Sequence, residues 1–483
     1  MIFQSLEFLI FLALLVSAYW WLPHRVQNVL LLVASYVFYC WVHPWYGLLM
    51  GFTTLVDYTA ARLLVARPAG SRGRKRILAT SLTATFSVLC GFKYFNFFTD
   101  AVWSAFHAVG WDWSRPMIDI LLPVGISFYT FQSASYVVDV FRGRERVRHS
   151  LVDYALFVSF FPQLVAGPIE RAGHLLAQIQ KPRVLDWTGW RLGLVRICWG
   201  MFKKLVIADG AGLIANRAFS IEDPSFPIVA GGVIAFGVQI YADFSAYTDI
   251  ARGAARLLGF DLMRNFRHPY CATSPAEFWR RWHISLSTWF RDYVYIPLGG
   301  SRCKPRRVAV NLLVTFGLSG LWHGASWNFV IWGLYHGALV ALQHLWSGFR
   351  KGKGESGGAP MGWVRTAGAW LATFVLMHVG WMMFREQNTE YLLSYFALVP
   401  WEASVADWET GLYFAVHAQI LALPLWIHAA VDPGPTGWLE RVWPRWENRW
   451  GGVVLQAVLV FLLVMATFAL RSPVSSNFIY FQF

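Results

Sequence analysis

The chain has 483 residues, of which 56% are hydrophobic, 17% aromatic and only 14% charged. Soluble proteins carry about a quarter charged residues, so a string of soluble domains is excluded and a polytopic membrane protein is indicated. The net charge of +14 is read through the positive-inside rule, which keeps basic loops in the cytoplasm, and not as a sign of nucleic-acid binding.

A helix that spans a bilayer needs about 20 mainly apolar residues. The first apolar run, Leu6 to Leu22, has no basic segment before it and no small-residue cleavage site after it. It predicts a retained span and not a removable signal peptide. Further runs lie at roughly 28–42, 46–65, 77–98, 117–140, 151–165, 190–218 and 228–258. The last set lies at roughly 308–322, 326–346, 365–384, 412–430 and 452–470. Together they predict an all-α chain with 11 or more transmembrane helices, some of them kinked, merged or re-entrant.

Charge orients these runs. The loops Arg67–Arg76 and Arg142–His149 are strongly basic and are expected on the cytoplasmic side. Asp100–Arg115 lies between them and is expected outside, which puts the N-terminus outside as well. Glu386–Glu409 holds acids and no Lys or Arg, so it falls outside. Arg441–Arg449 returns to the cytoplasm, and the last span delivers the C-terminus outside. Arg350–Pro360 reads as a flexible, basic cytoplasmic linker.

From Arg264 to Arg307 the chain carries nine Lys and Arg, many aromatics and no run long enough to span. Ser274 is placed as an N-cap, with Pro275 at the first helical position and Glu277 at the third. The spacing predicts an amphipathic helix over Ser274–Tyr293, lying on the cytoplasmic face of the membrane or dipping into it. The five cysteines are scattered with no C-x-x-C pair, so neither a disulfide framework nor a zinc site is predicted.

Three polar groups stand out inside apolar runs. His323 lies in "LSGLWHGASWNFVIWGLYHG". A polar side chain at membrane depth is costly and commonly marks a pathway or relay. A core histidine bonded to a helix carbonyl is the plainer alternative. Ser319, Gly320, Gly324 and Ala325 are small and allow close approach of backbone or substrate. A neutral imidazole there would accept a proton from an attacking hydroxyl. His336 and His344 follow at 13 and 21 residues, out of register for a helical metal pair, and no metal site is predicted. Asp243 and Asp249, in "QIYADFSAYTDIARGAARLLGF", are expected to pair with Arg252 or Arg256, or to accept from Tyr241, Ser245 or Tyr247. Either way they imply a polar bundle interior.

These motifs, with "FWRRWHISLSTWFRDYVYIPLGGSR", "LLPVGISFYTFQSASYVVDVFRG", "FFPQLVAGPIER" and "FKKLVIADG", resemble the membrane-bound O-acyltransferase superfamily. Within it the chain is most similar to the bacterial alginate O-acetyltransferase branch, whose relatives include the protein that exports D-alanine for teichoic acids. The resemblance runs from about Leu121 to Gly337; the rest matches mainly in hydropathy. It implies a single polytopic domain over 1–483, with tilted helices around a central tunnel. Its parts would be a catalytic core at 117–345, a basic cytoplasmic face at 264–307 and an extracytoplasmic aromatic tail at 474–483. It implies that His323 is the catalytic histidine and that His283 is its upstream partner. Trp322, Asn328, Ser287 and Trp279 are the implied lining of the tunnel.

The resemblance also implies an acyl thioester donor, on coenzyme A or on a carrier protein's phosphopantetheine, with no bound cofactor. The basic 264–307 face would steer that anionic donor. The ending "NFIYFQF" reads, from its residues, as an interfacial aromatic anchor. By resemblance, Tyr480 would receive the acyl group there. It would pass the group to an extracytoplasmic SGNH-hydrolase-type partner that serves an exported polysaccharide such as alginate. The expected location is the bacterial inner membrane, in contact with lipid, with both termini outside. Three readings compete: D-alanyl transfer to teichoic acid, a transporter with Asp243, Asp249 and His323 as a proton relay, and a scaffold with silent histidines. A transporter would favour an inverted repeat, and none is visible.

Overall fold

The computed structural model describes residues 1–111, 113–114, 122–147, 149–164, 167–352, 362–431, 449–474 and 478–479. All regular structure among the described residues is helical. In chain order the α-helices are α1 (Leu6–Tyr19), α2 (His24–Cys40), α3 (Tyr46–Val65), α4 (Arg72–Lys93), α5 (Phe95–Ala108), α6 (Ile126–Phe141) and α7 (Leu151–Ser159). Then come α8 (Phe161–Leu164), α9 (Ala172–Ile179), α10 (Trp187–Phe202), α11 (Asp209–Phe219), α12 (Phe226–Leu257), α13 (Pro275–Arg281) and α14 (Ile284–Phe290). The last are α15 (Pro305–His323), α16 (Trp327–Gly352), α17 (Trp363–Arg385), α18 (Thr389–Ala397), α19 (Val405–Val431) and α20 (Trp450–Leu470).

Among the described residues, α3, α12, α17, α19 and α20 are long and apolar enough to cross a bilayer. A sixth span is formed if α4 and α5, bent by 69° to each other, are taken together. The chain is therefore a multi-pass membrane protein. Several of the other expected runs are subdivided. Residues 151–165 split into α7 and α8 at Phe160, whose backbone is non-helical; Pro162 follows and has no N–H to continue the helix. Residues 190–218 become α10, a π-helical stretch Lys203–Ala208 and α11.

The chain divides into two compact units, Met1–Leu194 with Ile250–Met263, and Val195–Asp249 with Arg264–Phe483. In the first, Asp57 of α3 is buried. A lone carboxylate in hydrocarbon must be met by the protein. Hydroxyls from Ser81 (2.5 Å) and Thr85 (3.1 Å) of α4 and from Ser133 of α6 all donate to it, so one acid ties three helices. Arg74 joins the ends of two of these helices. Its guanidinium donates to the carbonyls of Leu64 at 2.8 Å and Phe141 at 2.8 Å. The two basic loops, Arg67–Arg76 and the one that begins at Arg142, therefore share one end of this unit.

In the second unit, α15 and α16 form an antiparallel hairpin with backbones in close approach. A Cβ at Gly320 would collide with the Phe329 carbonyl, and one at Gly333 with the Phe316 carbonyl. Small residues permit such packing between apolar helices, where dispersion replaces the hydrophobic effect as the cohesive force. At Gly317 an added Cβ would meet the Leu334 side chain at 3.4 Å, an ordinary contact. Gly320→Ala is expected to lower stability by about 1–3 kcal/mol through overpacking. Gly317→Ala is expected to leave it unchanged or slightly higher. Thermal unfolding of the purified variants, followed by tryptophan fluorescence, distinguishes the two; equal midpoints would contradict the close-packed hairpin.

Candidate active site

The 264–307 region is built around a break. Ser274 caps α13 as expected, accepting from the Glu277 N–H at 3.3 Å, and Glu277 reaches back to the Thr273 N–H at 2.9 Å. Burial works against the Glu277 charge, but the bonds from Thr273 and Arg281 prevail and hold its carboxyl below the ordinary value. The expected continuous helix over Ser274–Tyr293 is not formed. It is interrupted at Trp282 and His283, resumes as α14, and passes into a π-helical stretch, Arg291–Tyr295. His283 takes the left-handed conformation, φ 41° and ψ 54°. A side chain other than Gly or Asn is rarely held there without support.

The support comes from Asn265. Its carbonyl accepts the Ile284 N–H at 2.9 Å, and its side-chain oxygen accepts the Ser285 hydroxyl at 2.6 Å. Aromatics at and beside the break (Phe278, Trp282, Trp289) are buried in the second unit. The segment therefore penetrates the bundle and does not merely lie on its surface.

His323 is the last residue of α15. The hairpin fixes its place, and Gly324 lets Phe329 pack directly beneath the turn. His283 and His323 are 1% and 5% exposed. They flank one indole: Trp322 lies 6.0 Å from the His283 ring and 4.9 Å from the His323 ring, edge to face in both cases. Phe244 of α12 closes the other side of His283 at 4.7 Å. Beyond His323 stand Trp332 at 5.0 Å and Phe384 at 5.5 Å. Trp332 leads to His336 at 5.0 Å, which packs on Trp279, also at 5.0 Å. Both His336 ring nitrogens are buried with no hydrogen-bond partner among the described residues. Three imidazoles thus line one aromatic wall. In such a water-poor setting a neutral imidazole keeps a lone pair available for a proton.

Other expected lining residues fall elsewhere. Asn328 bonds to the Glu386 carbonyl at 2.8 Å and accepts from Thr389 at 2.9 Å, tying α16 to the turn after α17. Ser287 is half-buried and donates to the Trp282 carbonyl across the helix break. Trp322 and Trp279 do belong to the wall.

Asp243 and Asp249 are met by lysines from outside their own helix, which the sequence did not suggest. Lys204 lies between Asp209 at 2.8 Å and Asp243 at 3.1 Å; Lys203 pairs with Asp249 at 2.7 Å. Both lysines sit on the π-helical stretch within "FKKLVIADG". Two adjacent lysines in an apolar run were the available signal, since charge at that depth has to be compensated. Asn265 and Phe244 carried no comparable mark. Phe478 and Ile479 of the C-terminal segment are 0% and 1% exposed. Both are buried in this unit; the other residues of the ending read as an anchor lie outside the described residues. Tyr480 lies outside the described residues.

Residues 141–384 match the family model described as MBOAT, membrane-bound O-acyltransferase family. The chain belongs to the membrane-bound O-acyltransferase family. Among its relatives is a probable alginate O-acetylase of Azotobacter vinelandii, 39% identical over 412 residues, which cover 84% of this chain and 79% of that one. A protein of the same description from Pseudomonas putida is 35% identical over 504 residues, the full length of both chains. A peptidoglycan O-acetyltransferase of Helicobacter pylori is 34% identical over 393 residues, 75% of this chain and 72% of that protein. His283, His323, Asp243 and Asp249 all lie within the family segment; the tail does not.

The left-handed backbone at His283 gives a direct stability test. Asn tolerates this conformation and a β-branched residue does not. His283→Asn is expected to be more stable than His283→Val by about 1–3 kcal/mol, read from denaturant or thermal unfolding of the purified proteins. Equal stability would contradict the strained break.

Proposed function

We propose that this chain is a membrane O-acetyltransferase that supplies acetyl groups for an exported polysaccharide. The observation that carries the catalytic assignment is the pair of buried imidazoles, His283 and His323, set on either side of Trp322 within the family segment. The donor in this reading is an acetyl thioester from the cytoplasm, on coenzyme A or on a carrier protein. The shorter helices complete 11 or more spans around a tunnel in the inner membrane, with both termini outside and with 117–345 as the catalytic core.

The chemistry is acyl transfer to a hydroxyl. The Tyr480 oxygen attacks the thioester carbonyl carbon, and His323 takes the phenolic proton. His283 steadies the carbonyl oxygen as it gains charge. The carbon–sulfur bond then breaks, and the departing thiolate recovers the proton from His323. The product is an acetyl ester on Tyr480, which an extracytoplasmic SGNH-hydrolase-type partner exchanges onto its own nucleophile before the glycan is modified. Both imidazoles are covered, so the thioester gains access only when wall side chains or the tail move. Alginate suits the relatives named above. D-alanyl transfer is the less supported reading, because the relatives reported above, each matching three quarters or more of the chain, are described as acetyl-transferring.

The purified protein in lipid discs, given radiolabelled acetyl-coenzyme A and separately an acetylated carrier protein, provides the test. His323→Ala is expected to slow thiol release by about 100- to 10,000-fold, the span of general acid–base catalysis. Unchanged thiol release in the folded variant would remove His323 from the chemistry. Tyr480→Phe is expected to abolish the label on the C-terminal peptide; acetylation of polymer at the normal rate by that variant would remove Tyr480.

A further inference from the structure

The segment after α20 is held at two points, first by the π-helical stretch and then by α12. At its root, the Ser472 N–H donates to the Leu205 carbonyl at 2.9 Å. Further along, the Ile479 N–H donates to Asp243 Oδ2 at 2.7 Å, in a buried position. The other oxygen of Asp243 faces Lys204, which also holds Asp209. Lys204 meets one oxygen of the buried Asp243 and leaves the other to accept from elsewhere. A buried carboxylate with a spare oxygen requires a further donor, and the tail's backbone amide is that donor. Phe478 completes the seat: its ring lies 4.1 Å from Tyr247 and 5.7 Å from Phe244. Phe244 is the ring that touches His283.

We infer that Asp243 is a positioning residue that docks the C-terminal tail beside the histidines, acting through the Ile479 amide. This rests on the reading of Tyr480 as acyl acceptor, since Tyr480 is the next residue along. The division of labour is physical. The carboxylate reads a backbone N–H and so fixes the register of the tail whatever side chain stands at 479. The Phe244–Tyr247 surface selects the aromatic at 478. Lys204 and Asp209 hold the carboxylate in place. An acceptor hydroxyl tethered this way spares the search for alignment that makes an untethered attack slow.

Ile479→Pro tests the inference on the full-length protein, because it removes the amide hydrogen, together with the Ile side chain and the freedom of φ, and leaves Lys204, Asp209 and Asp243 untouched; Asp243→Asn removes the acceptor charge with none of those backbone changes. Ile479→Val keeps the N–H and serves as the conservative variant. Two readouts are taken. Digestion with a serine carboxypeptidase that releases proline, followed by intact-mass analysis, reports how far the tail is trimmed. The steady-state rate with acetyl-coenzyme A separates kcat from KM. The wild-type and Val proteins are expected to resist trimming beyond Ile479. The Pro variant is expected to lose Phe478 and the residues before it, with kcat lower by about 10- to 100-fold, the worth of one hydrogen bond to a charged group. Its KM for the thioester should be unchanged. Asp243→Asn, which leaves the Lys204–Asp209 pair intact, should show the same pattern in weaker form. A Pro variant as resistant and as active as wild type would overturn the inference. Tyr480→Phe should keep its tail protected. If that variant stays active while the Pro variant is trimmed, the acceptor assignment falls and the docking stands.

Discussion

A bilayer offers no water to a polar group inside it, so each buried donor, acceptor and charge has to be met by the protein itself. That constraint organises this molecule. In the first unit it converts Asp57 into a fastening for three helices through three hydroxyls. In the second it places two lysines on one π-helical stretch, where they meet Asp209, Asp243 and Asp249. A π-helical stretch adds a residue to the turn and re-aims the side chains around it, which is why such turns collect at functional sites.

The same constraint accounts for the histidine pair. Neither imidazole is placed by a regular helix interior. His283 stands at a break whose backbone is stabilised by Asn265, and His323 stands where α15 ends against Gly324. Helix breaks and ends free a side chain from helical register, and here they set His283, from some forty residues upstream, and His323, the neighbour of Trp322, against the same indole. The aromatic wall buries both rings. It also extends further than the pair. His336 continues it, and Gly380 gives that ring its room, since a Cβ there would collide with Nε2.

Much of this was legible in the chain. The long apolar runs announced the class, and the Ser274–Pro275–Glu277 pattern located a helix start to the residue. His323 stood out because an imidazole in an apolar run is costly, and small residues around it implied close packing. What escaped was set by contacts distant in sequence. Nothing local at Trp282–His283 signals a left-handed residue, because the partner that stabilises it, Asn265, lies about one and a half dozen residues upstream in a loop. The partners of Asp243 and Asp249 were sought along their own helix, whereas Lys203 and Lys204 lie some forty residues earlier on the π-helical stretch. Subdivision of 151–165 and 190–218 was hidden for a related reason: hydropathy reports burial and is blind to backbone kinks.

The central claim is that an acetyl thioester reacts against the wall formed by His283, Trp322 and His323. Photolabelling measures this most directly. A coenzyme A thioester whose acyl group carries a diazirine is irradiated on the intact protein in lipid, and the adducts are mapped by peptide mass spectrometry. The account predicts label on peptides from α13 to the start of α16, centred on His283 and Trp322–His323, and competed away by acetyl-coenzyme A or an acetylated carrier protein. Competable label confined to α3 and α4, or to the surface loops, with none on those peptides, would contradict it.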